Sequence, residues 1–414
     1  MPKYFIDSHC HFFNIDHIPF YAVLTRLNPI KLTLGALYLS IKKQLKKYEK
    51  FITFFEKEIS ENLTEVIGDI NKCGNEFDAE FDTRIKILTP LIMDFEIAVP
   101  YEKLFNQVKK LIDEISVAEI DPTYKILPFV GLDLRRFDDL LLSDVSQSVD
   151  AFIESYTNNI KSYQERKQHL DLENGDVIGV KLYPPIGFNI FPEDEGIRQK
   201  YIEVYKRLNE LKIPITVHCQ ESSYKIIEKK ILKKYTKPDN WEKVLNTDGL
   251  SDLRVNFAHF GGEDDVKFTL WNGNKFDYNK NKITKGTWTY KIIKLLKKYK
   301  NTYSDISAFN FNDKRAVFSF AWLLSMDHAG EFDKLGDYKL EDKLLWGSDN
   351  PMTLGDFDGY SSMFNAFLDT IKIGDQKYGM FKTPKNKYGS NIPDDNNLLE
   401  KMIDTNPKKF LFDC

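Results

Sequence analysis

IDSHCHFF (residues 6–13) opens the chain with an apolar run that closes on two histidines two positions apart. Side chains two apart in a strand share a face, so His9 and His11 point one way and Cys10 the other. Two imidazoles projecting from one rigid strand make half of a metal site. Four later stretches repeat the plan of an apolar run ending in a metal-binding or acid–base residue: GVKLYPP (179–185), ITVHCQ (215–220), NFAHFGG (256–262) and LLWGSDNP (344–351). Several strands each delivering one polar residue at a C-terminal end is the layout of a parallel barrel with its site at the mouth.

Eight strands are predicted: Tyr4–His9, Ile85–Met93, Ile126–Leu132, Val177–Leu182, Ile213–His218, Arg254–His259, Thr302–Ile306 and Lys343–Gly347. Several are apolar without alternation, as expected of strands covered on both faces. From Lys181 onward the landmarks His218, His259, Asp305 and Asp349 follow about 40 residues apart, room for one strand, one helix and two loops. Between the fourth and fifth strands, Ile197, Tyr201, Val204, Leu208 and Leu211 form one helical stripe. Pro192, Glu193 and Asp194 precede it and favour a helix start. The reading is α/β: a (β/α)8 TIM barrel spanning residues 1–414, with helical and loop insertions at the C-terminal mouth. Residues 17–80 form a helical insertion with Phe51, Phe54, Phe55 and Ile59 on one side. Residues 263–289 read as a surface loop, and 355–400 as a C-terminal extension.

Hydrophobic residues at 42% and aromatics at 14% support a large core. Lys and Arg number 58 against 62 Asp and Glu, a net charge of -4, so nothing steers the chain to nucleic acid or an anionic membrane. The four cysteines, Cys10, Cys73, Cys219 and Cys414, show no disulfide spacing, the usage of a reducing compartment. No signal-peptide pattern opens the chain, and no apolar run reaches the roughly 20 residues a membrane span needs. A soluble, cytoplasmic protein acting on a small molecule is expected, and the long insertions allow a homodimer.

The chemistry follows from donor type. A divalent transition metal takes imidazole nitrogen and carboxylate oxygen and keeps a position for water. Bound water then ionises near neutral pH, its pKa falling from about 15.7 toward 7. His9, His11 and His218 are the nitrogen candidates and Asp349 the oxygen candidate. A carboxylate touching metal and water can also take the proton. His17, His169 and His328 are set aside, since none ends a strand. Lys181 reads either as a pocket lysine paired with a carboxylate or as a carbamylated bridge between two metals. Asp7 reads as the partner of a ligand histidine or as half of a salt bridge within the barrel. Arg135 and Arg136, after the third strand, read either as a surface pair capping a helix or bonding a carboxylate, or as a guanidinium fork for a substrate carboxylate, and Tyr183 lines the pocket.

DSHCH (7–11), GVKLYPPIGF (179–188), VHCQ (217–220), AHFGG (258–262) and GSDNP (347–351) together resemble the amidohydrolase superfamily. KLYPP with WGSDNP is most similar to its amidohydrolase-related branch of metal-dependent hydrolases and nonoxidative decarboxylases. The resemblance implies that His9, His11, His218 and Asp349 hold one divalent ion, zinc first, with His259 polarising substrate or binding a second metal. A second ion enters if Lys181 is carbamylated. Asp349 and His259 are the catalytic pair so implied. The expected reaction is hydrolysis of an ester, lactone or amide; decarboxylation of an aromatic or unsaturated carboxylic acid is the alternative. DSHCH and IPITVHC also resemble TatD-like nucleases, but the glutamate that group carries on its third strand is replaced here by Val130, Gly131, Leu132 and Asp133. A non-catalytic barrel would bind no metal.

Overall fold

The computed structural model describes residues 3–13, 53–54, 56–77, 81–97, 103–156, 171–221, 227–272, 275–276, 283–373 and 395–413. All eight predicted strand positions are present. Tyr4–Cys10 pairs in parallel with Ile85–Pro90, which pairs with Tyr124–Ile126. A second parallel sheet runs through Phe129–Gly131, Gly179–Leu182, Ile215–Gln220, Val255–Gly261, Thr302–Asp305 and Leu344–Leu345. Tyr124–Ile126 and Phe129–Gly131 are halves of one strand position. Pro128 between them has no N–H to give the ladder, and pairing resumes at the Leu91–Phe129 bridge. At the other edge the Ser8 amide donates to the Trp346 carbonyl at 3.0 Å, and the Asp349 amide to the His9 carbonyl at 2.7 Å. These bonds tie the last strand to the first, and the eight positions form a (β/α)8 barrel.

Side-chain alternation sorts the strands into two apolar clusters. Phe5, Leu88, Val130, Val180, Val217 and Phe257 pack outward beneath the helices. Their neighbours Ile6, Ile87, Phe129, Ile178, Tyr303 and Leu345 meet Phe410, Leu411 and Phe412 of the last helix, Asn406–Phe412. The polar residues of interest occupy the inner face above this second cluster.

The helix Glu195–Glu210 shows how sequence sets local structure. Asp194 caps it, accepting from the Ile197 amide at 2.9 Å, which satisfies one of the unpaired N–H groups of the first turn. Tyr201, Val204 and Leu208 are buried; each aliphatic side chain contributes about 1.5–3 kcal/mol by leaving water. Ile197 and Leu211 are partly buried at the two ends of the stripe.

One expectation changes. Residues 263–289 are not one loop: Glu263–Leu270 is a helix begun by Glu263, Asp264 and Asp265 at its positive end. Trp288 opens a second helix, Trp288–Lys298, capped by Thr287, and is buried rather than exposed. Within 17–80 the helix Ile59–Phe77 is present, with Phe54 and Ile59 buried; Phe51 and Phe55 lie outside the described residues. In 355–400, Tyr360–Ile373 and Asp395–Glu400 are helical, and the Asn/Pro-rich stretch falls mostly outside the described residues. No helix among the described residues is long and apolar enough to cross a membrane.

Candidate metal centre

His9, His11, Lys181, His218, His259 and Asp349 line one cavity of about 30 Å³, together with Met93, Tyr183, Gln220 and Met352. A water needs roughly 10–15 Å³ on this measure, so the space suits an ion with a water. Strand geometry brings the residues there by two routes. His9 and His11 alternate as expected, but a register shift between Asp7 and Cys10 re-aims the strand, so that Ile6 and His9 both face inward. His259 follows the outward-facing Phe257 by two residues and would point outward if the strand stayed regular. Left-handed backbone at His259 (φ 71°) and Phe260 (φ 49°) turns the imidazole into the cavity. Asp349 also sits in the left-handed region, at φ 52°. Non-glycine residues rarely adopt it, and such strain gathers at functional sites.

Hydrogen bonds fix where the protons lie. His11 Nδ1 is 2.7 Å from the Leu91 carbonyl, which can only accept, so Nδ1 carries the proton. Burial pushes the His11 pKa down; the ring is neutral and its Nε2 is a bare lone pair. That lone pair faces Asp349 Oδ1 at 3.3 Å, and His9 Nε2 lies 3.4 Å from the same oxygen. Burial alone would raise the Asp349 carboxyl, but the His11 and His9 rings beside it hold it well below the ordinary carboxylate range. Two acceptors with no proton between them are repulsive, and a cation removes the conflict. His218 Nε2 is buried with no hydrogen-bond partner among the described residues, a costly state for a polar atom unless something binds it. His9, His11 and Asp349 bring their donor atoms close enough to hold one ion, a set of imidazole nitrogen and carboxylate oxygen that fits a divalent transition metal, and His218 lines the same cavity outside that group.

Asp305 and Ser307, in SDIS (304–307), complete the centre and were not among the predicted site residues. Asp305 Oδ2 accepts from His9 Nδ1 at 3.0 Å and from Asn256 Nδ2 at 2.7 Å; Oδ1 accepts the His259 amide at 3.0 Å. Burial would raise this carboxyl, yet the His9 charge and bond lower it below its usual range. In return, Asp305 raises His9 against the opposing effect of burial. A proton and a metal compete for the same His9 Nε2, so the same charge strengthens the ligand. His9, His259 and Asp305 also lie close enough to hold an ion, but His9 Nδ1 is bonded to Asp305 and the His259 ring nitrogens are bonded to Ser307 and His218. The available signal was spacing: D-x-S ends the seventh strand as H-x-H ends the first.

A sequence profile of the amidohydrolase family matches residues 168–412, more than half of the chain. The chain belongs to the amidohydrolase family. The matched range takes in Lys181, His218, His259 and Asp349. No curated protein matches the sequence. Among solved structures it is similar to 4-oxalomesaconate hydratase, LigJ, from Rhodopseudomonas palustris, at 10% identity and a TM-score of 0.41, over 98% of this chain and 95% of that one.

The remaining predicted positions of this amidohydrolase fall around the centre as follows. Lys181 is buried; burial lowers its pKa to about 8, against the pull of Asp305 and Asp349. Tyr183 packs edge-on against His218 at 5.0 Å between ring centres. Arg135 and Arg136 do not line the cavity. Arg135 forks onto Asp133 and reaches the Ile186 carbonyl at 3.2 Å. Arg136 forks onto Asp94 at 2.7 and 2.8 Å and adds Glu96 at 2.9 Å. Both guanidiniums are committed to carboxylates of the chain, which is the carboxylate-bonding reading of GLDLRR and leaves no open fork for substrate. Asp7 bonds no histidine ring among the described residues: it accepts the backbone amides of His9 (3.1 Å) and Ser348 (3.0 Å) and the Tyr360 hydroxyl (3.0 Å). Its work is to pin the first strand to the loop after the eighth. His17 and His169 lie outside the described residues, and His328 ends the helix Lys314–His328.

Proposed function

We propose that this amidohydrolase is a metal-dependent hydrolase that adds water across an ester, lactone or amide bond of a small molecule. His9, His11, His218 and Asp349 would hold the ion, zinc being the first expectation for a site of imidazole and carboxylate. The bound cation supplies Lewis acidity and makes hydroxide available near neutral pH. The reading is carried by the unpartnered Nε2 of His218, aimed at the same cavity as the facing lone pair of His11 and oxygen of Asp349.

The chain's own residues then have distinct tasks. Asp349, ionised throughout the neutral range, accepts the proton from water as its oxygen bonds to the substrate carbonyl carbon. It returns that proton to the leaving oxygen or nitrogen as the C–O or C–N bond breaks. Lys181 places a buried cationic group where a substrate oxyanion or carboxylate can lie, and Gln220 adds an amide at the cavity wall. His259 has both ring nitrogens engaged, Nε2 with His218 at 3.1 Å and Nδ1 with Ser307 at 2.8 Å. Its bonds support holding His218 in place of direct contact with substrate. Nonoxidative decarboxylation is the second reading, favoured by the buried Lys181 beside the carboxylate, a natural anchor for a substrate acid. Elemental analysis of protein purified without chelator should give metal at one ion per chain. Lactones, esters and amides assayed beside aromatic and unsaturated acids, with carbon dioxide followed, separate the reactions. Release of carbon dioxide without consumption of water would defeat the hydrolase reading.

A further inference from the structure

We infer that Ser307 is a positioning residue that sets the tautomer of His218, acting through His259. The inference rests on the metal reading above and concerns the order of protons behind it. Ser307 Oγ makes its shortest contact with Asp305 Oδ1, lies 2.8 Å from His259 Nδ1 and 3.1 Å from His9 Nδ1. Asp305 is ionised, accepting from His9, Asn256 and the amides of His259 and Ser307. Two oxygens in such close contact require a proton between them, and only the serine can supply it. A hydroxyl has one hydrogen, so Ser307 has none left for His259.

The rest follows by elimination along the chain of contacts. His259 Nδ1 must be the donor to Ser307 Oγ. His259 is buried and neither ring nitrogen faces a carboxylate, so the ring is neutral, holds only that proton and Nε2 is an acceptor. His218 Nδ1, 3.1 Å away, must then be the donor, and His218 Nε2 is left as a bare lone pair. That atom is the buried one without a partner. The sequence Asp305, Ser307, His259, His218 therefore runs as four groups each donating or accepting in one direction. A metal-facing nitrogen is prepared three groups away from the carboxylate that starts the order. Reversing any single bond would put a hydrogen on His218 Nε2, where it would have no acceptor.

The test uses metal-free full-length protein with 15N-labelled histidine. The wild-type spectrum should show His218 and His259 each protonated at Nδ1 and unprotonated at Nε2; a proton on His218 Nε2 would overturn the inference. In Ser307→Ala the His259 Nδ1 proton loses its acceptor, the order is no longer fixed, and both rings should show a mixture of Nδ1- and Nε2-protonated forms. Zinc affinity, read by competition with a chromophoric chelator, should fall about 10- to 100-fold, while Ser307→Thr, which keeps the hydroxyl, should restore both signals. Unchanged tautomers and affinity in a folded Ser307→Ala would refute the relay. Should the wild type show the expected tautomers yet bind no zinc, the metal reading fails and the proton order stands.

Discussion

Gly347 lies where the eighth strand crosses the first, and an alanine there should disable the centre without touching a ligand. A Cβ built on Gly347 would meet His9 Cβ at 2.7 Å and Ser307 Cβ at 3.2 Å, with His9 N at 3.4 Å. Ordinary contact begins near 3.4 Å, so the strands must part by roughly 0.7 Å, against the roughly 0.2 Å that metal–ligand distances tolerate. His9 cannot absorb this by rotating, because Nδ1 is fixed to Asp305 at 3.0 Å and its carbonyl to the Asp349 amide at 2.7 Å. Gly347 has no left-handed φ, so alanine suits its backbone and the effect is steric alone. The expected cost is about 1–3 kcal/mol of stability from overpacking. Zinc affinity should also fall about 10- to 100-fold, as for other disturbances just behind a ligand. Gly286→Ala, with nothing within 4 Å of the new carbon, is the control and should stay within about 0.5 kcal/mol of wild type. Chelator competition and urea unfolding on both variants decide the matter. Wild-type zinc affinity in a stable Gly347→Ala protein would show that His9 is not a ligand held by this crossing.

Asp349→Asn should leave the fold intact and abolish turnover, since an amide cannot take the proton; retained turnover at normal metal content would reassign the base. Gly68→Ala, inside the helix Ile59–Phe77 with nothing within 4 Å of the added carbon, should raise stability by about 0.5–1 kcal/mol, measured by urea unfolding. Lys297 and Asp327 form a buried pair at 2.7 Å; Lys297→Met strands the carboxylate and should cost about 3–5 kcal/mol, a loss that Asp327→Leu in the same chain partly relieves. Burial raises Asp7 to about 6, so the folded state holds this proton more tightly than the unfolded chain. Its contribution is full below pH 3.8 and is lost as pH rises through about 6. Asp7→Asn should therefore flatten the stability profile over that window, as read from urea midpoints at successive pH values.

Much of this protein could be read from order and spacing alone. Buried parallel strands have to be apolar, and the chemistry of a barrel mouth has to sit where those runs end, so eight strand positions and the set His9, His11, Lys181, His218, His259 and Asp349 stood out locally. A donor's neighbours are another matter, because they come from elsewhere in the chain. Arg135 and Arg136 had the right residue type and place for an anion, but Asp133, Asp94 and Glu96 fold onto them first. Asp305 stood out only as a strand landmark and Ser307 not at all, and only the closing of the barrel sets them behind His9 and His259. Alternation even assigns His259 to the wrong face, and the left-handed turn at φ 71° reverses it. Residue type and periodicity fix which atoms can serve as ligands. Their direction and their protons depend on backbone bends and on hydrogen bonds between residues as far apart as His9 and Asp305, which exist only once the barrel has closed.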